Sequence, residues 1–272
     1  MQVLSTAEKI NTHKAQSATA ECHKQPLVSI ITPAFNSSSF IEETAKSVLA
    51  QSYHNWEWLI TDDGSTDDTW MYLKRLSKKD NRIKVARHHV NLGPAAARNC
   101  SIDRAKGKYL LFLDSDDLWL PEKIERHVDF TESGNHSFSF TAYDIVDSSG
   151  QPIHKTVDGF DATVNYDDML NAKATMGNST VLVHRDLVGS MRLPDMRTGQ
   201  DYAFWLLLLK KGFSAVCLPD VLTRYRIRPG SISRNKMIKA KSVWGIYRNQ
   251  ENLNISKSMW CFSRYACRAI FR

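Results

Sequence analysis

The chain lacks the long apolar run that a membrane span requires. Its longest unbroken stretch, Ala203 to Leu209, falls far short of the roughly 18–20 residues needed. No apolar h-region follows the mixed polar opening with Glu8, Lys9, Asn11, His13 and Lys14, so neither a transmembrane segment nor a secretory signal is expected. Cysteine is scarce: Cys22, Cys100, Cys217, Cys261 and Cys267 are odd in number and show no C-x-x-C spacing. That excludes a disulfide scaffold or a cysteine zinc site and fits reduced thiols. Internal repeats and low-complexity blocks are also missing.

What is present is 272 residues, 42% of them hydrophobic, enough for one large α/β domain with a small appendage. The net charge of +7 is unevenly placed. From Arg224 to Arg272 there are twelve Lys/Arg against the single acid Glu251, while the preceding residues are net acidic. The high pI is therefore no argument for nucleic-acid binding by the main domain, and no nucleic-acid partner is expected.

Residues 1–25 have no hydrophobic periodicity and read as a lead-in. Order is expected from Pro26, with a buried strand over Leu27–Thr32 halted by Pro33. Ser37 or Ser38 is placed to cap a helix through Gln51. A second strand, Trp56–Thr61, runs into Asp62-Asp63-Gly64-Ser65-Thr66-Asp67-Asp68, where Asp67 and Asp68 suit the first turn of the next helix. Ile83–Arg87 is a third strand, Ala95–Ala105 a helix, and Lys108–Leu113 a fourth strand ending in Asp114-Ser115-Asp116-Asp117.

Alternating strands and helices imply a mostly parallel, doubly wound sheet, whose ligands bind beyond the carboxyl ends of the strands. Three polar clusters should meet there: Pro33-Ala34-Phe35-Asn36, Asp62-Asp63 and Asp114–Asp117. Further on, strands are expected over Phe138–Val146, Thr180–His184, Ala215–Leu218 and Leu222–Arg226, with a helix over Gln200–Lys211. Beyond Asn235 the pattern is helical and basic.

Three carboxylates within four residues repel one another unless a cation sits among them. A hard divalent ion, Mg²⁺ or Mn²⁺, prefers such oxygen donors and completes its shell with substrate phosphates. Asp114 and Asp116 share a side if the strand conformation persists. The plain alternative is a solvated turn and helix cap.

Five ordered segments carry a resemblance: VSIITPAFN (28–36), WLITDDGSTD (58–67), NLGPAAARN (91–99), GKYLLFLDSDD (107–117) and GQDYAFWL (199–206). Together they resemble family 2 glycosyltransferases of the GT-A fold, over roughly residues 26–228. The resemblance implies a Rossmann-like, doubly wound mixed sheet, and the basic helical pattern beyond it reads as an amphipathic C-terminal extension over 229–272. It also implies inverting transfer of a sugar from a nucleoside diphosphate, usually UDP, to a hydroxyl.

Carried over residue by residue, Pro33, Ala34 and Asn36 match the segment lining the nucleoside, and Asp62 the carboxylate that accepts the uracil imide N–H. Asp63 supports the turn. Gly93 and Arg98-Asn99 lie in the block beside the nucleotide, where Arg98 either reaches a phosphate or pairs with a strand-end Asp. Asp114-Ser115-Asp116 is the D-x-D element: Asp116 for direct metal contact, Asp114 for ribose or metal, Asp117 a further candidate. Asp201 matches the base that deprotonates the acceptor, and Gln200 stands where Glu is commoner. Arg226 or Arg228, in the Tyr225–Ser233 segment, is placed to fold over the diphosphate. His184 and His154 read as structural.

On a helical wheel Lys257, Arg264, Arg268 and Arg272 share one face and Met259, Phe262, Ala266 and Ile270 the opposite one, as suits the headgroup layer of an anionic bilayer; packing on the body is the alternative. Short bacterial members of the family commonly extend undecaprenyl-diphosphate-linked saccharides in O-antigen or capsule assembly. By that resemblance the expectation is glucose or galactose transfer to lipid-linked GlcNAc or GalNAc, at the inner face of the inner membrane. Rival readings are a non-catalytic nucleotide-binding module and an aspartyl-phosphate (HAD-like) phosphatase, although Asp117-Leu118 is not what the latter places after its second Asp.

Overall fold

The computed structural model describes residues 25–158, 161–228 and 236–271. The elements, in order, are β1 (Val28–Ala34), α1 (Ile41–Leu49), β2 (Trp56–Asp62), α2 (Thr69–Lys79), β3 (Ile83–Arg87), α3 (Pro94–Asp103), β4 (Tyr109–Phe112), β5 (Leu118–Trp119), α4 (Lys123–Ser133) and β6 (Phe138–Val146). Then come β7 (Pro152–Val157), β8 (Thr163–Val164), α5 (Tyr166–Leu170), a 3₁₀ turn (Asn178–Thr180), β9 (Val181–His184), α6 (Arg185–Val188), α7 (Gln200–Leu209) and β10 (Ala215–Arg226). The chain continues through α8 (Lys236–Gly245), a π-helical turn (Ile246–Gln250) and α9 (Ile255–Phe271).

The main path of the ten-stranded sheet runs β3-β2-β1-β4-β9-β6-β10-β5, with β7 added to β6 and β8 to β10. β3, β2, β1 and β4 are parallel, in a register that pairs Ala34 with Asp62 and Ile31 with Phe112. All three polar clusters therefore emerge at one edge of the sheet. β9 runs antiparallel to both β4 and β6, and β10 is parallel to β6. The sheet is thus mixed, and the antiparallel β9 brings the Asn178–Thr180 turn to the same edge.

Both faces of the central strands are buried, which is why they read as continuous apolar runs. Alternate residues supply two cores. Ile31, Leu59, Leu110 and Phe112 join Phe204 and Trp205 of α7 on one face. Ile30, Trp58, Ile60 and Leu111 meet Ile41, Leu73, Ile124 and Val128 of α1, α2 and α4 on the other. Helix α7 is apolar around most of its circumference because it is sunk into the first core, where Trp205 packs edge-on to Phe112, centroids 5.1 Å apart. Gly107 opens the β4 segment because a Cβ there would lie 2.5 Å from the Ser29 amide nitrogen.

Four expectations are corrected. Pro33 does not halt β1, which continues to Ala34. Neither Ser37 nor Ser38 caps α1: the helix begins after Phe40 without a side-chain cap, and the Ser37 carbonyl accepts from the Phe40 and Ile41 amides. Asp67 and Asp68 precede α2 rather than lying in its first turn, Asp67 accepting from Thr69 N at 3.0 Å. The strands expected over Ala215–Leu218 and Leu222–Arg226 are one strand, β10, whose register against β6 shifts around Pro219-Asp220. Proline lacks the ladder N–H, so the strand bulges there instead of ending.

Helix α9 packs against the body through Ser258, Cys261, Phe262 and Tyr265, a face a quarter turn from the apolar one drawn on the wheel. Met259, expected on that apolar face, is exposed, as are Ile255 and Trp260. Lys257 pairs with Asp167 at 3.3 Å, and Arg268 donates to the Ala172 carbonyl. Residues 1–24, the Pro229–Ser233 loop and Arg272 lie outside the described residues, as does the Ile270 side chain.

Behind β9, Lys123 and His127 are fully buried, with no carboxylate in contact among the described residues. Lys123 Nζ meets His127 Nδ1 at 2.8 Å, Thr180 O at 3.2 Å and Thr141 Oγ1 at 3.3 Å. His127 Nε2 meets Ser139 Oγ, which meets Thr131 Oγ1, which donates to His127 O. One proton order satisfies the chain: Nδ1 accepts from Lys123 and Nε2–H donates to Ser139. Burial, with the Lys123 amine second, pushes the His127 imidazole well below its usual range.

The unfolded chain takes up a proton at His127 below about pH 6.5 that the fold resists, so stability falls as pH drops below that value. The slope from this one group approaches about 1.4 kcal/mol per pH unit. Urea titrations at pH 5 and 7 should show a smaller acid-side loss in His127→Gln than in the parent.

Candidate functional site

At the carboxyl edge of β2, Asp62 is fully buried. Its Oδ2 takes Arg87 Nε at 3.0 Å and Ser65 N at 3.3 Å, while its Oδ1 has no partner. Asp63 is spent on the turn, accepting from Leu92 N at 3.0 Å and Gly93 N at 2.7 Å and contacting His88 Nδ1 at 2.8 Å. Gly93, with φ of 100°, starts α3.

Pro33 and Ala34 close β1, and the Ala34 carbonyl accepts from Asp63 N at 2.7 Å. Asn36, at φ 47°, accepts from Thr66 N at 2.9 Å through Oδ1. The two segments expected to line a nucleoside are thereby stitched together.

The Asp114–Asp117 segment is a turn, not extended strand: Asp117 N donates to Asp114 O at 3.2 Å. Strand alternation therefore does not decide where these acids sit, and each has a different partner. Asp114 Oδ1 accepts from Arg98 Nη2 at 2.5 Å and Asn178 Nδ2 at 2.7 Å. Asp116 pairs with Arg228 Nε at 2.9 Å. Asp117 is buried and accepts from Ser179 Oγ at 2.5 Å and Arg226 N at 2.9 Å. Ser115 Oγ is shared with Ser37 Oγ at 2.7 Å, which ties the D-x-D element to the β1 turn.

Burial, then the neighbouring Asp114, raises the Asp116 carboxyl above its ordinary range, against the opposing pull of Arg228. Burial, then Asp116 and Asp114, raises Asp117 much further.

These placements separate candidates that sequence left together. Arg98 takes the Asp-pairing alternative. Arg226, a candidate for the diphosphate, is turned inward: Nε donates to Asp116 O at 2.8 Å, Nη1 to Ser148 O at 2.9 Å and Nη2 to Glu43 Oε2 at 2.5 Å. With every nitrogen committed, Arg226 braces the turn, and Arg228 is the arginine presented beside Asp116. Asp117 likewise serves as an internal brace for Ser179 and β10. Sequence reasoning missed Asn178 as an Asp114 partner; its position just ahead of β9 was the available signal.

Asp201 lies in the first turn of α7, partly exposed, with no hydrogen bond or ion pair among the described residues. The segment before its helix is tied to α3 and to the loop ahead of it. Asn99 Nδ2 donates to Leu193 O and Leu193 N donates to Asn99 Oδ1, both at 2.9 Å, and Arg197 donates to Asn91. Gly199, at φ 72°, turns into α7; a Cβ there would lie 2.9 Å from Ser242 Oγ of α8.

No three Asp, Glu, His or Cys side chains form a ready-made metal cage among the described residues. The donor chemistry nevertheless fits Mg²⁺ or Mn²⁺, which are often held by one or two carboxylates with water and phosphate oxygens. Asp114 and Asp116 repel each other, and each already leans on a guanidinium cation.

A glycosyl transferase family 2 model matches residues 29–189. The chain belongs to that family. It is 43% identical over 246 residues to TuaG of Bacillus subtilis (strain 168), named as a teichuronic acid biosynthesis glycosyltransferase, covering 90% of this chain and 97% of that protein. It is 39% identical over 210 residues to WfaP of Escherichia coli, named UDP-Glc:alpha-D-GlcNAc-diphosphoundecaprenol beta-1,3-glucosyltransferase, covering 77% and 81%.

Among solved structures, Staphylococcus aureus TarS 1–349 with UDP matches at a TM-score of 0.65 and 20% identity, over 86% of this chain and 68% of that one. The mannosyltransferase PcManGT of Pyrobaculum calidifontis, with GDP-Man and Mn²⁺, matches at 0.67 and 16%, over 90% and 70%. These two share the fold with this glycosyltransferase. Against the longer TarS chain it spans 41% of the length.

The two arginines after Tyr225 should part company on mutation. Arg226→Ala strips donors from two carbonyls in a buried turn and should cost roughly 2–3 kcal/mol in urea unfolding. Arg228→Ala, at a more exposed pair, should cost under about 1 kcal/mol.

Proposed function

We propose that this glycosyltransferase moves a hexose, glucose or galactose, from its UDP derivative to a hydroxyl of a lipid-linked GlcNAc or GalNAc diphosphate. The product would enter bacterial surface polysaccharide of the O-antigen kind. The observation that carries the donor reading is the buried, unpartnered Oδ1 of Asp62 beside the Ala34–Asn36 turn. A carboxylate oxygen there accepts the uracil N3–H, whereas cytosine offers only an acceptor at that ring position. The acceptor reading leans on the two relatives named for glucosyl transfer to GlcNAc-diphosphoundecaprenol, at 39% and 34% identity.

In this reading the nucleoside lies against Pro33, Ala34, Asn36 and Asp62, with Gly93 and the Ser115 backbone beside it. Asp116, with Asp114, would hold Mn²⁺ or Mg²⁺, which supplies Lewis-acid stabilisation of the departing diphosphate. Arg228, partly exposed beside Asp116, would be placed to meet the diphosphate oxygens. Asp201, at a helix start and without a partner among the described residues, takes the proton of the acceptor hydroxyl as its oxygen attacks C1. The C1–O bond to the diphosphate breaks as the new one forms, so the anomeric centre inverts and UDP carries the electron pair away.

No helix among the described residues is long and apolar enough to cross a membrane. Ile255, Met259 and Trp260 of α9 are each about 60% exposed beside Lys257 and Arg264, which suits peripheral attachment at the cytoplasmic headgroup layer where a lipid-linked acceptor is presented.

UDP release from a panel of UDP-sugars, with Mn²⁺ or EDTA and with synthetic GlcNAc- and GalNAc-diphosphate lipids, tests the reaction. Release with one hexose donor, requiring both metal and lipid, is expected. Release that ignores the lipid would sink the acceptor assignment. Asp201→Asn should bind UDP as the parent does yet lose at least about 10³-fold in turnover, the upper range for losing a general base. Normal turnover would remove Asp201 from the mechanism. Trp260→Ser with Arg264→Ser should reduce co-sedimentation with phosphatidylglycerol vesicles and leave transfer to a detergent-solubilised acceptor unchanged.

A further inference from the structure

A cavity of about 440 Å³, within the size range of small-molecule sites, lies between α9 and the segment that follows α5. Helix α9 contributes Arg264, Cys267 and Arg268, and the facing segment contributes Asn171, Ala172 and Lys173. None of these belongs to the polar edge of the sheet, and the transfer reaction proposed above does not use them.

The two walls are tied together. Asn171 closes α5, and Ala172 follows it at φ 54°, a left-handed backbone that L-residues rarely adopt. The turn lets Ala172 N donate to Met169 O at 3.1 Å and Lys173 N to Asp168 O at 2.9 Å, and the Ala172 carbonyl accepts from Arg268. Two helical turns earlier along α9, Trp260 Nε1 donates to Asn171 Oδ1 at 3.1 Å.

The charge between these walls is unbalanced. Lys173, Arg264 and Arg268 share one contacting carboxylate, Asp168, which pairs with Lys173 at 2.7 Å; Asp161 acts on Lys173 only from farther away. Arg264 opposes the charge of Lys173 and has no hydrogen bond or ion pair among the described residues. Cations gathered in one concavity focus their field on an anion, and arginine suits a phosphate in particular.

The remaining lining says what the anion carries. Ala172, Cys267 and the aliphatic stems of Lys173 and the two arginines make walls that a bare hydrated ion would leave unused. Trp260, at the rim, and its neighbour Met259 are exposed, as suits the headgroup layer of a bilayer. We propose that this cavity is a headgroup site for an anionic phospholipid. Its phosphate meets Lys173, Arg264 and Arg268, and its glyceryl carbons follow the apolar wall toward Trp260. The site rests on the peripheral attachment proposed above and gives it a fixed anchor on the body of the protein.

Lys173 lies off α9, so an amphipathic helix acting alone has no use for it. The test is co-sedimentation of the parent, Lys173→Gln and Lys239→Gln with phosphatidylcholine vesicles that carry phosphatidylglycerol. Lys239 is exposed on α8, outside the cavity, and its loss changes the net charge equally. Thermal melts establish that each variant is folded; Arg264→Gln takes the place of Lys173→Gln should the latter fail to fold. Lys173→Gln should lose at least about tenfold in vesicle affinity, the scale of a hydrogen bond to a charged group. Lys239→Gln should lose no more than about fivefold, the scale of one charge near an anionic surface. Equal losses in the two folded variants overturn the cavity and leave attachment through α9 standing. A parent protein that ignores the vesicles overturns both. Maleimide labelling of Cys267, read against Cys267→Ser, separates lipid from free ion. Short-chain phosphatidylglycerol should slow it and inorganic phosphate at equal concentration should not; slowing by neither, or equally by both, overturns the lipid assignment.

Discussion

Carboxylates taken out of water at the edge of a sheet must each find a donor or a cation, and this requirement organises the upper half of the molecule. Asp117 is the most demanding, being fully enclosed and next to two other acids. Its two oxygens are met by Ser179 from the turn before β9 and by the Arg226 amide at the end of β10. Satisfying one acid thus pins two distant segments to the β4 turn. Ser179 Oγ also accepts from Asp114 N at 3.0 Å, and the Ser179 carbonyl accepts from Trp119 Nε1 at 2.8 Å. The same few atoms fix both the D-x-D element and the segment that carries Asn178.

Much of this was legible locally. Near-continuous apolar runs followed by polar clusters located β1, β2 and β4, because strands buried on both faces leave that trace regardless of tertiary detail. The order of the clusters located the site, because parallel strands deliver their carboxyl ends to one edge. Asp63 read as a turn support for a reason that also proves local: a short carboxylate opposite the start of α3 captures the Leu92 and Gly93 amides.

What escaped the sequence depends on partners far along the chain. Arg226 and Arg228 have the same chemistry, yet β10 ends at Arg226, and that end decides which enters the turn and which faces outward. Asp114 and Asp116 were expected to share one side if the strand persisted, but β4 ends at Phe112 and the chain turns, Asp117 N donating to Asp114 O. Helix α9 was read for amphipathicity alone, although its buried face is chosen by Trp244 of α8, which meets Phe262 edge-on at 5.6 Å, and by α5. A wheel finds the most apolar face, whereas packing picks the face that fits a given neighbour.

The basic end of the chain is consequently bound up with the start of α7. Ser242 Oγ of α8 donates to the Thr198 carbonyl at 2.7 Å, immediately before the Gly199 turn that launches Asp201. Glu251, the lone acid in that region, accepts from Lys210 at 3.0 Å and Tyr166 at 2.5 Å, locking the π-helical turn to the far end of α7 and to α5. Helix α7 is therefore held at its start by α8 and Asn99's grip on Leu193, at its middle by Phe112 and Phe138 around Trp205, and at its end by Glu251. The base role proposed for Asp201 calls for an open carboxylate on an immobile support. Asp201 has no side-chain partner among the described residues, so its position there is set by the helix that carries it, and the positively charged helices around that helix are part of the support.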